Sequence, residues 1–329
     1  MRLTLALGLL IAATAAPAAA DTLVVGNKAE HTLSFIDLAT GREVARRPTG
    51  RAPHELAVSP DGKTVLAVSY REPDFAGSTL HRFDIATAAA RGKIDLAGHK
   101  GLHGLKWVGR GRTLVITSEV TRNVAVVDAV AGKLLASIPT DQDGSHMVAV
   151  SNDGRRAFVA NIGSGSFTAI DLVVRAKLRD VAVGAGAEAI ALTPDGRQLW
   201  VGANEARKVM LFDARSLARL GEFPTEGVPI RIEFSPDGRV AAISEPDRHR
   251  VVVLDARTRK TLATVDLAAA GYKVPVTMLF APDGKRLWVA ATGSGAVAEI
   301  DTKSWRIMRR LAAGKGADGL AFSRVDSRP

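Results

Sequence analysis

The sequence predicts an all-β fold: a seven-bladed β-propeller of four-stranded antiparallel blades. Three observations predict it. A Pro-Asp-Gly type of turn recurs at Pro60-Asp61-Gly62, Gly109-Arg110-Gly111, Asn152-Asp153-Gly154, Pro194-Asp195-Gly196, Pro236-Asp237-Gly238 and Pro282-Asp283-Gly284, with a degenerate seventh copy at Arg324-Val325-Asp326. An aspartate closes a short apolar strand seven times, at Asp37, Asp84, Asp128, Asp171, Asp213, Asp255 and Asp301. The two ends of the repeat region complement each other. The N-terminal side supplies three strands of a blade (TLVVGN, TLSFID, EVARRP), and the C-terminal side supplies a lone first strand (GLAFS, 319–323). Short strands separated by turns at a period of roughly forty residues are the signature of propeller blades.

The elements follow in order. Residues 1–20 read as a secretory signal peptide. Arg2 is a short positive region, LTLALGLLIAATAA is an apolar core, and Ala18-Ala19-Ala20 is a small-residue cleavage site. Residues 21–329 then form one propeller domain with no linker. In each unit an apolar strand (ELAVS) meets the turn, and a second strand follows (TVLAVS, TLVITS, RAFVAN, QLWVGA, RLWVAA). A polar turn leads to a third strand ending in aspartate (NVAVVD, SFTAID, VMLFD, VVVLD), and a last turn leads to a fourth (KLLASI, ARLGEF, KTLATV). Joining the lone C-terminal strand to the N-terminal three closes the ring and removes the sticky edges an open array would expose.

These units resemble the YVTN-type β-propeller repeat over essentially all of residues 22–323. Its second-strand signature is kept best at Phe158-Val159-Ala160-Asn161. It is looser at Val24-Val25-Gly26-Asn27 and at Trp200-Val201-Gly202-Ala203-Asn204. The resemblance implies the seven-bladed ring and an extracytoplasmic location. It implies no activity, because this architecture carries binding proteins, electron-transfer subunits, lyases and lactonases.

Composition removes several classes of function. The chain has no cysteine, which excludes disulfides, thiolate metal sites, a cysteine nucleophile, covalent haem attachment and a lipoprotein anchor. No run after the leader is long enough to span a membrane, so a periplasmic or secreted protein is expected. The formal charge is +10, which permits acidic partners. The basic stretches GREVARRPTGR, DRHR, DARTRK and WRIMRR lie in different repeats without interleaved aromatics, so nucleic acid is not the expected partner.

One column of the repeat carries chemistry. Aligned on the turns, the residue starting the first strand is His54, His103, His146, Glu188, Ile230, Val276 and Asp318. The first strand of a blade is innermost, so these seven side chains should ring the channel mouth. Round the ring the arc reads Asp, His, His, His, Glu. His54, His103 and His146 are therefore candidate ligands for a divalent transition metal such as Zn, Cu or Fe, with Glu188 and Asp318 as added donors. The same ring could hold a small ligand, act in general acid–base chemistry, or be a hydrated polar rim. Tyr70, Arg71 and Glu119 sit in turns facing the same mouth, with Glu119 placed to orient an imidazole. The longer loop SYREPDFAGSTLHRFD is expected to fold over it as a partial lid. His31, His81, His99 and His249 fall at turns or outer strands and read as surface residues. The repeated aspartates read as structural caps of turn amides.

The expected function is an exported binding or accessory protein with a small-ligand or metal site at the mouth, and a periplasmic protein as possible partner. Two alternatives stay open. One is an enzyme or cofactor binder on the same site, since propellers resembling this one include metal-dependent lactonases and lyases and, among relatives of the YVTN repeat, a noncovalent d1-haem domain. The other is a scaffold whose basic edges meet an acidic partner or nucleic acid.

Overall fold

A computed structural model describes residues 21–329; the expected signal peptide lies outside the described residues. Seven four-stranded antiparallel sheets follow one another round a ring, with a two-stranded hairpin added. The first blade pairs Ala317–Ser323 with Thr22–Asn27, Thr32–Asp37 and Arg42–Pro48. Blades two to seven begin at Pro53, Leu102, Ser145, Ala187, Arg231 and Pro275 and run in simple sequence order. The C-terminal strand pairs with the N-terminal one in the register Thr22↔Ser323 and Leu23↔Phe322, so the ring is closed. The Thr22 hydroxyl donates to the Val325 carbonyl (2.7 Å) and accepts from the Ser327 amide (3.0 Å), which fastens the tail beyond the last strand.

The patterning of each strand follows from its place in a blade. Second and third strands, such as Thr113–Ser118 and Asn123–Asp128, are buried on both faces because a neighbouring blade covers each one. Their sequences accordingly read as continuous Val, Ile, Leu and Ala instead of alternating. Fourth strands such as Ala90–Asp95 are largely exposed and carry Lys and Arg, which discourages edge pairing. Seven apolar clusters fill the seven clefts between neighbouring blades. The closing cleft is packed as the others are, by Leu23, Val25, Trp288 and Leu320.

The recurrent aspartates cap turns, as expected. Asp128 accepts from the amides of Val130 (3.0 Å) and Ala131 (2.8 Å), and Asp171 from those of Val173 (2.8 Å) and Val174 (3.0 Å). Among the other histidines, the surface expectation fails for His99. It is 3% exposed, with Nε2 3.1 Å from the Ser137 hydroxyl, because the preceding turn tucks it against the outer strand of the next blade. His31 and His249 are half-buried in left-handed turns, where Nδ1 accepts from the amides of Ala52 and Val274.

A local irregularity sets the channel geometry. In most blades the pairing of first and second strands slips by one residue. Pro53 pairs with Ser69 but Leu56 with Ala67, and Leu102 pairs with Ser118 but Leu105 with Ile116. The same slip recurs after Ser145, Ala187 and Pro275. Such a β-bulge re-aims side chains. Here it brings two successive residues of one strand, such as His54 and Glu55, to the channel.

Candidate functional site at the channel mouth

The seven residues of the repeat column meet in one cavity of about 290 Å³, which Lys28, Tyr70, Met147, Arg231 and Thr292 also line. Each comes from the start of a first strand, or from the turn between second and third strands that opens on the same face. The three imidazoles stand in a row, His146 stacked on His103 at 29° and His54 tilted 49° to it. His103 lies between the other two, with ring centroids 3.6 Å from His146 and 4.2 Å from His54. Tyr70 closes the side of the row, edge-on to His54 (4.9 Å) and His103 (4.7 Å).

Carboxylates flank both ends. His146 lies between Glu119 (Nδ1 to Oε1, 3.6 Å) and Glu188 (Nε2 to Oε1, 3.5 Å). His54 faces Asp318 (Nε2 to Oδ2, 3.4 Å), which also faces Lys28 at 3.9 Å. Glu119 accepts a short hydrogen bond from the Tyr70 hydroxyl and pairs with Arg71 (3.5 Å), which stands half exposed at the rim. The Asn204 amide donates to Glu188. All eight candidate residues thus fall in one cluster. The expected lid is a small hairpin of Arg71–Glu72 and Phe75–Ala76, held at the rim by Arg51 through Glu72 (2.7 Å) and Asp74 (2.8 Å).

The outer two imidazoles direct nitrogens at carboxylates, His54 at Asp318 and His146 at Glu119 and Glu188. No group of three or more His, Asp or Glu among the described residues is arranged to hold a metal ion.

The arrangement drives neighbouring groups to opposite protonation states. Burial works against charge on His146, but Glu119 and Glu188 overcome it and raise its pKa to about 9. Burial, and then the charge on His146, push His103 well below the ordinary imidazole value. Burial would raise Glu119 and Glu188, yet hydrogen bonding and attraction to His146 hold both below the ordinary carboxylate value. Burial and then Glu119 raise the Tyr70 hydroxyl, which stays protonated. At neutral pH the site therefore holds a neutral imidazole against an imidazolium. Pairs of titratable groups driven apart in this way mark functional sites.

Two further members escape the column. Arg231 and Glu55 form an ion pair across the channel (2.5 Å). Arg231 also donates to the Thr277 hydroxyl (2.9 Å) and lies 3.4 Å from the Met147 sulfur. Each of these four residues directly follows a column residue in sequence, which is the signal that marks them. They make a second ring just inside the first. Burial opposes the charge on Glu55, and Arg231 restores it, lowering the carboxyl far below its usual range.

Comparison with known proteins agrees with this architecture. The family model of the cytochrome D1 heme domain, itself a β-propeller family, matches residues 109–253. No curated protein matches the chain in sequence. Among solved structures, a functionally unknown protein from Desulfotomaculum acetoxidans superimposes with a TM-score of 0.78 at 15% identity, covering 93% of this chain and 100% of that one. The periplasmic gluconolactonase PpgL of Pseudomonas aeruginosa gives 0.75 at 19% identity, over 92% and 99%. Hydrazine synthase of Kuenenia stuttgartiensis gives 0.69 at 18% identity, over 80% and 87%. At these identities the likeness is one of fold.

Proposed function

We propose that the protein is an exported propeller that binds a small polar molecule at its channel mouth, in a binding or accessory role. His103 is the observation that carries this reading. Its side chain is 1% exposed, and both ring nitrogens lack a hydrogen-bond partner although the residue lines the cavity. Buried polar atoms are rarely left unpaired, and a ligand donating to one nitrogen or accepting from the other would satisfy the ring. The charged groups around it already compensate one another, Lys28 with Asp318, Arg231 with Glu55, and His146 and Arg71 with Glu119 and Glu188. A small molecule with neutral donors and acceptors therefore suits the site better than a strongly charged one. Export is supported by the apolar leader of the sequence and by a fold shared with a periplasmic protein.

A tetrapyrrole, suggested by the cytochrome D1 match, does not fit. Sites for drug-sized ligands run from roughly 300 to 1,000 Å³, and a macrocycle is a larger body than a cavity of about 290 Å³ encloses. The nitrogens of His146 already face carboxylates.

The test uses protein exported from cells and purified without chelator. Mass spectrometry of the supernatant after denaturation should find one small organic molecule in near-stoichiometric amount, lost in His103→Phe. Absence of any such molecule from the folded wild type, or equal recovery from the variant, refutes the reading. A second reading, acid–base catalysis on the bound molecule, is favoured by the charged His146 stacked on the neutral His103. It requires that the released molecule, supplied afresh or as its precursor, be turned over, with activity lost in His146→Asn.

A further inference from the structure

On the face opposite the channel mouth, the cleft between the second and third blades forms a larger cavity of about 660 Å³. Its floor is apolar, made by Leu66 and the indole of Trp107, and the strongly exposed Val130 flanks it. Its walls carry Arg82, Arg91, Arg110 and Arg112. Arg91 and Arg112 are held by the turn aspartates of their own blades, Asp84 (3.0 Å) and Asp128 (3.0 Å). Arg82 and Arg110 form no such pair among the described residues. Two donors in this cleft, Arg82 Nε and Trp107 Nε1, are buried and have no acceptor. A buried N–H without an acceptor is costly, and this cleft holds two of them beside two unpaired cations and over an apolar floor. A flat apolar body with an anionic head in reach of Arg82 and Arg110 suits such a cleft.

We propose that this cleft binds a planar aromatic anion, its carboxylate or phosphate on Arg82 and Arg110 and its ring against Trp107. Guanidinium offers forked donors to such oxygens, and the indole face and the aliphatic side chains cover the ring. The site is independent of the channel mouth, since it uses the turns at the other end of the strands and shares no residue with it.

The probe is 2-naphthoate, with the neutral 2-naphthalenemethanol and inorganic phosphate as comparison ligands, read by calorimetry and by the indole N–H resonances in NMR. Trp107→Phe assigns the Trp107 indole signal and keeps an aromatic ring in the cleft. The proposal expects naphthoate to bind at one site and to shift that signal. It expects the alcohol to bind at least about tenfold more weakly, because the charge-assisted bonds are lost, and phosphate alone not to shift the indole. Arg82→Gln should weaken naphthoate by about tenfold on the same argument. Arg110→Gln, on an exposed turn where folding is not at risk, should weaken it in the same direction. No binding at millimolar naphthoate, equal binding of acid and alcohol, a shift confined to another tryptophan, or wild-type affinity in both arginine variants would each overturn the proposal.

Discussion

At the scale of single residues the site is governed by the row His54, His103, His146 and the carboxylates at its ends. The raised pKa of His146 has a definite sign for stability. Its ordinary value is 6.5 and its folded value about 9, so the stabilisation is fully present below about pH 6.5 and is lost as pH rises through about 9. Glu119 and Glu188 are lowered, so their share is present above the ordinary carboxylate value and lost on acidification. Both are the same interaction seen from two sides, and it is intact between those limits. The urea midpoint should therefore fall between pH 7 and pH 10 in the wild type, and His146→Asn should flatten that dependence. NMR titration of His146 should show a charge retained through neutrality, with its pKa lowered in Glu188→Gln. A His146 that titrates near 6.5 would mean the carboxylates do not hold it. The ion pair inside the channel makes a second prediction. Arg231→Met leaves the Glu55 carboxylate buried and unpaired and should cost about 3–5 kcal/mol in chemical denaturation. Adding Glu55→Leu should recover most of that, because the two changes share one interaction.

At the scale of the strand and its turn, two glycines separate conformation from crowding. Gly196 has φ +71° in its Pro-Asp-Gly turn, and a methyl there would approach nothing closer than the Asn152 amide at 3.8 Å. Gly196→Ala should therefore cost only the left-handed backbone penalty, about 1–2 kcal/mol. Gly319 has an ordinary φ, but a methyl there would overlap the backbone carbonyl of His54. Gly319→Ala should cost about 3 kcal/mol or more, since the obstacle is backbone and cannot swing aside. Equal losses in the two variants, measured by urea unfolding, would sink the distinction. The same strands show why the sequence was only partly legible. Strand order, turns, capping aspartates and ring closure followed from repetition, because each blade repeats the same local chemistry. The column of His54, His103, His146, Glu188 and Asp318 followed from alignment of those repeats. Arg231 and Glu55 did not, because alternation along a strand sends successive residues to opposite sides. The bulge in the strand of Glu55 breaks that rule, and Arg231 is the first residue of a strand that pairs without a slip. The stacking of the imidazoles was also hidden, since spacing along the chain says which rings meet but not whether they meet by edge or by face.

At the scale of the whole molecule, closure couples the fold to the site. The strand Ala317–Ser323 completes the first blade against Thr22–Asn27 and also delivers Asp318 to the channel mouth, where it faces His54 and Lys28. Stability is shared round the ring, because each apolar cluster lies between two blades and none belongs to one alone. Deleting residues 317–329 should therefore do more than remove one strand. It exposes the backbone edge of Thr22–Asn27, a template for pairing with another chain. It also opens the clefts that Leu320 and Ala321 fill, and it leaves His54 without its carboxylate. The truncated protein should elute as oligomers in size-exclusion chromatography, unfold at a lower temperature over a broader transition, and fail to retain the ligand proposed for the channel mouth. Supplying the missing segment as a separate peptide should restore the wild-type elution volume and the proposed binding together, since one strand serves both. Recovery of that elution volume without recovery of binding would show that the ring and the site are separable, and that Asp318 is a structural neighbour of His54 with no part in the ligand's recognition.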